Sequence, residues 1–278
     1  MVKNNKIHAF TLIELLVVIT IIALLLAIIV PSLKKAKEQA QNAICKSNMH
    51  QWGLIFQMYT ESNNGKFHRG WDNTKGLDYL RRGLWLHALR PYYTDNDDVR
   101  TCPSAVRLDD SVADASGSIT GGSIFAWGRR TDWVSNAGDP FNYGSYGLNG
   151  YVCSAEDISS PDMPNENEYW RRITVSGSFS LSNIPILLDS AYWKSYVEST
   201  NPPPPEYDYL HYNPGQVHSN YMACHVINRH SGRINAVFFD LSVDSIGLKS
   251  LWNLKWSPVW QPPPVRPTWP NWMIGYPE

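Results

Sequence analysis

The stretch from Phe10 to Val30 constrains this chain more than any other. Its 21 residues, FTLIELLVVITIIALLLAIIV, are apolar except for Thr11, Glu14 and Thr20. At 1.5 Å per residue, a helix of that length covers roughly 30 Å, the thickness of a bilayer's hydrocarbon core. A secretory signal would carry an apolar region of only about 7–15 residues and end at a small-residue cleavage site. Here the run is longer and ends in Pro31-Ser32-Leu33-Lys34-Lys35, which favours a retained membrane helix. Lys3 and Lys6 precede the run and Lys34, Lys35 and Lys37 follow it, so charge alone does not orient it. The remainder is polar enough to make the mean hydropathy of the whole chain negative. With a net charge of -1 and no basic arm, nucleic acid is not an expected partner.

Glu14 is the anomaly. A carboxylate at the centre of a membrane helix costs about 2.5–3.5 kcal/mol even on mild scales, so it needs a partner, a function, or a place among the headgroups where it reaches water. Its neighbours narrow the choice. Ala9-Phe10-Thr11-Leu12-Ile13-Glu14, after a short basic leader, resembles the processing site of type IV prepilins and type II secretion pseudopilins. The resemblance implies that a prepilin peptidase cuts between Ala9 and Phe10 and methylates the new amine. It also implies that Glu14 pairs with the Phe10 amine of a neighbouring subunit during assembly. Ala9 stands where the family usually has glycine, and Pro31 lies where many pilins have proline. Further partners implied are other pilin subunits, an inner-membrane platform protein and an assembly ATPase. The expected location is the bacterial inner membrane with the head in the periplasm, then a pseudopilus or surface filament.

Beyond Pro31 the apolar positions Leu33, Ala36, Ala40, Ala43, Ile44, Trp52, Ile55, Phe56 and Tyr59 step by threes and fours along much of their length, which predicts an amphipathic continuation ending near Asn63-Asn64-Gly65. The whole helix is then ~50 residues, or roughly 75 Å, long. GLDYLRRGLWLHALR, at 76–90, predicts a second helix that stops before Pro91, and VRTCPSA, at 99–105, a short strand. NYGSYGLNGYV and IPILLDS read as strands, and INAVFFDLSVDSIGL as a hairpin turning at Asp240-Leu241-Ser242, followed by a short helix. The expected layout is a leader at 1–9, a membrane or filament-core helix at 10–30 and its amphipathic continuation at 31–64. A globular head at 65–256 follows, with insertions at about 106–142 and 191–228, and then a Pro/Trp-rich tail at 257–278. The fold class is α+β and pilin-like: a long N-terminal helix, membrane-spanning in its first half, packed on a head with a C-terminal antiparallel sheet.

Cys45-Lys46-Ser47-Asn48-Met49 resembles a pseudopilin-like subfamily. So does the pattern Arg229-His230-Ser231-Gly232, Asn235, Phe238-Phe239-Asp240, which is similar to a C-terminal signature of histidine, nine residues, Asp-Gly; here Leu241 replaces the glycine. A turn needing positive φ at that position would be strained with leucine.

Candidate chemistry is sparse. His211, His218, His225 and His230, with Asp189, Asp208 and Asp240, match no common zinc spacing. His230 and Asp240 read as a structural hydrogen bond across the hairpin, or, in a hydrolase, as an acid/base pair lacking a nucleophile. Ca2+ is the better metal candidate, since related pseudopilins hold it, although Asp95-Asn96-Asp97-Asp98 lacks the spacing of a known calcium loop. Four cysteines in the exported part allow two disulfides. The expected pairs are Cys45 with Cys102 and Cys153 with Cys224, the alternative being free buried thiols. Trp85, Trp252 and Trp256 read as core, whereas Trp127, Trp133, Trp193, Trp269 and Trp272 lie in loops and would have to form any glycan platform. Two functions follow: a non-enzymatic filament or pseudopilus subunit, or a minor pilin or adhesin whose head binds glycans or another surface ligand.

Overall fold

The apolar run opens one continuous helix, α1, from Leu12 to Ser62. Its 51 residues correspond to ~77 Å. The helix ends as its sequence predicts: Asn64 and Gly65 turn left-handed, with φ of 55° and 77°, and the Gly65 N–H closes on the Thr60 carbonyl at 2.7 Å. Pro31 lies inside the helix, where its missing N–H leaves a carbonyl one turn back without its usual donor. Beside it, the Ser32 hydroxyl donates to the Ile28 carbonyl at 3.0 Å. The computed structural model describes residues 11–70, 85–93, 96–105, 121–128, 143–154, 165–174, 179–201, 204, 206 and 220–277.

The chain divides into two compact units, Met1–Ala40 and Gln41–Glu278. In the first, every described residue is exposed, including the large apolar side chains from Leu12 to Val30. By length and composition this helix can cross a membrane. In the second unit α1 changes character. Cys45, Asn48, Met49, Trp52, Gly53, Ile55, Phe56 and Thr60 form a buried stripe at three- and four-residue steps.

That stripe packs on a five-stranded sheet. Tyr143–Gly144 (β2) pairs with Trp127–Gly128 (β1) in a separate two-stranded ribbon. Tyr146–Asn149 (β3), Pro185–Asp189 (β4), Lys194–Ser195 (β5), Arg233–Phe238 (β6) and Val243–Gly247 (β7) form the main sheet, in the order β5-β3-β4-β6-β7. All its pairs are antiparallel except β3 with β5. Every residue of β3 and β4 is buried, so both faces of the sheet are covered at its centre. Glycine at position 53 lets α1 approach β6: a Cβ there would sit 3.0 Å from Val237 Cγ2. The Trp52 ring meets Trp85, on a short helix Trp85–Ala88 (α2), and Tyr93 edge-on, both at 5.0 Å between centroids. Trp85, Trp252 and Trp256 are core residues, as their spacing predicts.

The structure refines two local expectations and corrects one. Of the helix expected at 76–90, residues 76–84 lie outside the described residues; Trp85–Ala88 is helical, and the chain runs through Pro91 in a 3-10 turn, Arg90–Tyr92. Residues 99–105 form no strand: Asp97–Arg100 is a 3-10 turn, after which the Cys102 N–H is taken by the Ser145 hydroxyl rather than by a strand carbonyl. The segment after the hairpin is a 3-10 helix, Leu248–Asn253. The tail does wrap the head, burying Met273 and setting the Tyr276 carbonyl on Lys249 Nζ at 2.9 Å. Of the 106–142 insertion, 106–120 and 129–142 lie outside the described residues, as does most of 201–219.

The β6–β7 turn is where expected, and Leu241 adopts φ of 64°. A left-handed non-glycine residue costs about 1–2 kcal/mol. Leu241→Gly is expected to raise the urea midpoint of the full-length chain in detergent by an amount equivalent to ~1 kcal/mol, the extra freedom of glycine in the unfolded chain offsetting part of the relief. Leu241→Ile should lower it, because a β-branched side chain tolerates that region still less.

Candidate functional site

Among the described residues, two places concentrate unusual chemistry. The first is the start of α1. Ala9 and Phe10 lie outside the described residues. Thr11 caps the helix and Glu14 completes a capping box: the Thr11 N–H and hydroxyl both donate to Glu14 Oε2 at 2.8 Å, and the Glu14 N–H donates back to Thr11 Oγ1 at 3.2 Å. In a single chain the carboxylate is therefore held by its own helix start.

The second is a buried polar cluster beneath α1. Strand β4 ends in Asp189, whose side chain is wholly buried. Opposite it, Asn228 to Gly232 make a tight turn into β6. Ser231 and Gly232 are both left-handed, and the Gly232 N–H donates to Asn228 Oδ1 at 2.7 Å. A side chain at 232 would collide with the Tyr276 ring, 2.5 Å from the position of its Cβ. The turn aims Arg229 and His230 at Asp189: Arg229 Nη1 lies 3.2 Å from Oδ1, and His230 Nε2 lies 3.3 Å from Oδ2. The Asn235 N–H donates to Oδ2 at 2.8 Å. The guanidinium also donates to the carbonyls of Ser145, Gly122 at 3.0 Å and Ser190 at 2.9 Å, so it pins the 121–125 segment to the sheet.

Two sulfurs complete the cluster. Cys45, from α1, lies 3.7 Å from both Asp189 oxygens and accepts from the Tyr146 hydroxyl at 3.5 Å. Cys102 Sγ is 3.4 Å from His230 Nε2. One donor atom from each of Cys45, Cys102, Asp189 and His230 lies within 4.8 Å of all the others. Burial alone would push Asp189 up, but the hydrogen bond and charge of His230, with Arg229 and the Asn235 N–H, hold its carboxyl below the usual range. Burial would likewise pull His230 down, yet its bonds to Asp189 and Cys102 lift it to about 10. Burial raises Cys45 well above an ordinary thiol, whereas Cys102, despite burial, is drawn down to about 6 by its contacts with Cys45 and His230.

Several sequence expectations change here. His230 pairs with Asp189, not Asp240. Asp240 lies at the far end of the six-residue strand β6, ~20 Å away along an extended chain, and accepts from Ser242 N–H and Oγ at 3.0 and 2.6 Å. No acid/base relay is formed either, because a single nitrogen, Nε2, faces both Cys102 and Asp189. All four cysteines are buried thiols in the structure, the alternative expected for them, and neither disulfide is formed, although Cys45 and Cys102 do meet. His225 stands apart from the cluster, bonded through Nε2 to Ser195 Oγ and through Nδ1 to the Asp189 backbone carbonyl at 3.1 Å. His211, His218, Asp208, Asp95 and Trp133 lie outside the described residues. Trp127 is buried and donates to the Tyr146 carbonyl, and Trp193, Trp269 and Trp272 pack against the core. The cluster had no spacing signature, because its residues come from four distant segments.

A family model described as a prokaryotic N-terminal methylation motif matches residues 4–30. No curated protein matches the chain, and no solved structure does.

Removing the Arg229 charge leaves Asp189 half-compensated in a buried site, a change that typically costs about 3–5 kcal/mol. Arg229→Met should lower chemical-denaturation stability by that order, whereas Arg233→Met, at the half-buried start of β6, should cost far less. A separate acid sensitivity comes from His68, whose burial and proximity to Lys194 pull its imidazole from 6.5 to about 3. Between those values the unfolded chain binds the proton and the folded chain does not, so stability falls as pH drops from 6.5, by up to ~1.4 kcal/mol per pH unit. Urea midpoints measured across that window should decline less steeply in His68→Gln than in the parent chain.

Proposed function

We propose that the chain is a prepilin-like subunit, cleaved between Ala9 and Phe10 by a prepilin peptidase, N-methylated at Phe10 and polymerised through α1 into a type IV pilus-like filament or type II secretion pseudopilus. The observation that carries this reading is the continuity of the matched motif at 4–30 with one 51-residue helix, bare and apolar in its first half and built into a head in its second. Apolar side chains exposed from Leu12 to Val30 require lipid before assembly and neighbouring subunits after it. The assembly platform and ATPase are the partners that such a transfer needs.

Glu14 has a definite task in this scheme. In the single chain its carboxylate rests on Thr11. In the filament it exchanges those bonds for the methylated amine of a neighbour's Phe10, an ion pair sheltered from water that fixes the register between subunits. Pro31, without an N–H, marks the point where α1 loses a backbone bond and can bend or loosen during that packing. Trp127 is buried and Trp193, Trp269 and Trp272 are half-buried against the core, which favours the helix over an aromatic binding face as the feature behind the function.

The test is to express the full chain with and without a prepilin peptidase and to read the mature N-terminus by mass spectrometry. The expected product begins at Phe10 and carries one added methyl group. Glu14→Ala should still be cut but should not enter filaments. A chain that still begins at Met1 in the presence of an active peptidase would overturn the reading and leave a membrane-anchored head.

A further inference from the structure

The buried cluster has the composition and dimensions of a metal centre. Its donors are two cysteine sulfurs, one imidazole nitrogen and one carboxylate oxygen. A tetrahedral zinc ion, bonded at about 2.3 Å to sulfur and about 2.0–2.2 Å to nitrogen and oxygen, sets S···N and S···O edges of about 3.6 Å and an N···O edge of about 3.3 Å. The observed separations are 3.4 Å for Cys102 Sγ to His230 Nε2, 3.7 Å for Cys45 Sγ to the Asp189 oxygens and 3.3 Å for His230 Nε2 to Asp189 Oδ2. Three edges of the tetrahedron are thus already in place, and the remaining separations fall within 4.8 Å.

We propose that Cys45, Cys102, Asp189 and His230 bind a zinc-type divalent ion in a closed, structural site. The surroundings suit that task. Asp189 Oδ2, the oxygen nearest His230, is oriented by the Asn235 N–H at 2.8 Å, while Arg229 occupies Oδ1 at 3.2 Å. The Tyr146 hydroxyl supports Cys45. Such outer partners hold ligand side chains in position and tune the ion. Two thiolates and one carboxylate are offset by the ion and the Arg229 guanidinium, so the loaded site buries no net charge. Sulfur donors exclude Ca2+, which takes oxygen. Four protein ligands leave no open position, and the role is structural rather than catalytic. The ion would tie α1, the 96–105 segment, β4 and the turn into β6 together at one point. Cys45 and Asp189 are 144 residues apart in sequence, and Cys102 and His230 are 128 apart. The same cross-link could instead be made by a Cys45–Cys102 disulfide, which would leave His230 and Asp189 as a pair; the two chemistries are mutually exclusive. The inference stands independently of the filament reading, since it concerns the head alone.

The experiment uses the full-length chain, purified in detergent under reducing conditions, stripped with a chelator and titrated with Co2+ and then Zn2+. The expected result is one ion per chain. The cobalt form should show thiolate-to-metal charge transfer and the intense visible bands of tetrahedral coordination, and Zn2+ should bleach both. Zn2+ should also raise the urea midpoint. Cys102→Ser and His230→Gln should abolish the cobalt bands. Because those variants also disturb the core, Tyr146→Phe serves as the mild one: it should keep the spectrum and weaken affinity by about 10- to 100-fold. Cys153→Ser and Cys224→Ser should leave the spectrum unchanged. A wild-type chain that is folded and fully reduced but gives no tetrahedral thiolate spectrum and retains no zinc would overturn the proposal. So would a Cys45–Cys102 disulfide in peptide maps of the exported protein.

Discussion

Asp189 carries its carboxylate wholly out of water, and the head is arranged to make that tolerable. Taking a carboxylate into a protein interior costs several kcal/mol unless its oxygens are paired and hydrogen-bonded. Arg229, His230 and the Asn235 N–H meet that requirement, and each is delivered by the same short stretch, the turn at 228–232 and the first residues of β6. The left-handed pair Ser231 and Gly232 is what lets one turn present two cations to one strand end. Arg229 then reaches past Asp189 to carbonyls at Gly122, Ser145 and Ser190, converting one ion pair into a fastening for three loops.

The helix is joined to the same point. Cys45 faces both Asp189 oxygens and Asn42 accepts from Asn235 Nδ2 at 2.8 Å, so the first buried turns of α1 are fixed by polar contacts, while Trp52, Ile55 and Phe56 are held by apolar ones. Polar contacts fix rotation and register of the helix on the sheet in a way that apolar packing, which is non-directional, does not. On the filament reading proposed above, the apolar half passes from lipid to neighbouring helices, and the folded half has to stay intact through that transfer. A buried charge network fastened to the helix meets that need more specifically than a larger hydrophobic contact would.

Legibility from the sequence varied with how local each determinant was. The end of α1 at Asn64-Gly65, the β6–β7 hairpin and the left-handed turn residue Leu241 were readable, because turn chemistry acts over four residues. Glu14 was half-read: Thr-x-x-Glu before an apolar run is a capping box, and that local satisfaction was overshadowed by the resemblance to a processing site. The strand expected at 99–105 failed because the Val99, Thr101 and Ala105 N–H groups close local turns and the Cys102 N–H is claimed from afar, by Ser145. The pairing of His230 with Asp240 failed for a geometric reason. Residues at the two ends of an extended strand are carried apart, while Asp189, forty-one positions upstream, is carried alongside.

What the sequence determined by itself was the apolar span, its match to an N-terminal methylation motif, the continuation of the helix through position 62 and the α+β class. Each of these rests on periodicity or on contiguous residues, which a single strand of text preserves. Only the tertiary structure decided that Cys45, Cys102, Asp189 and His230 share one site. Their meeting depends on the order in which strands pair and on the close approach of α1 to β6, at Gly53 against Val237. Those are properties of long-range packing, fixed by the summed burial of residues far apart in the chain, and no spacing in the sequence encodes them.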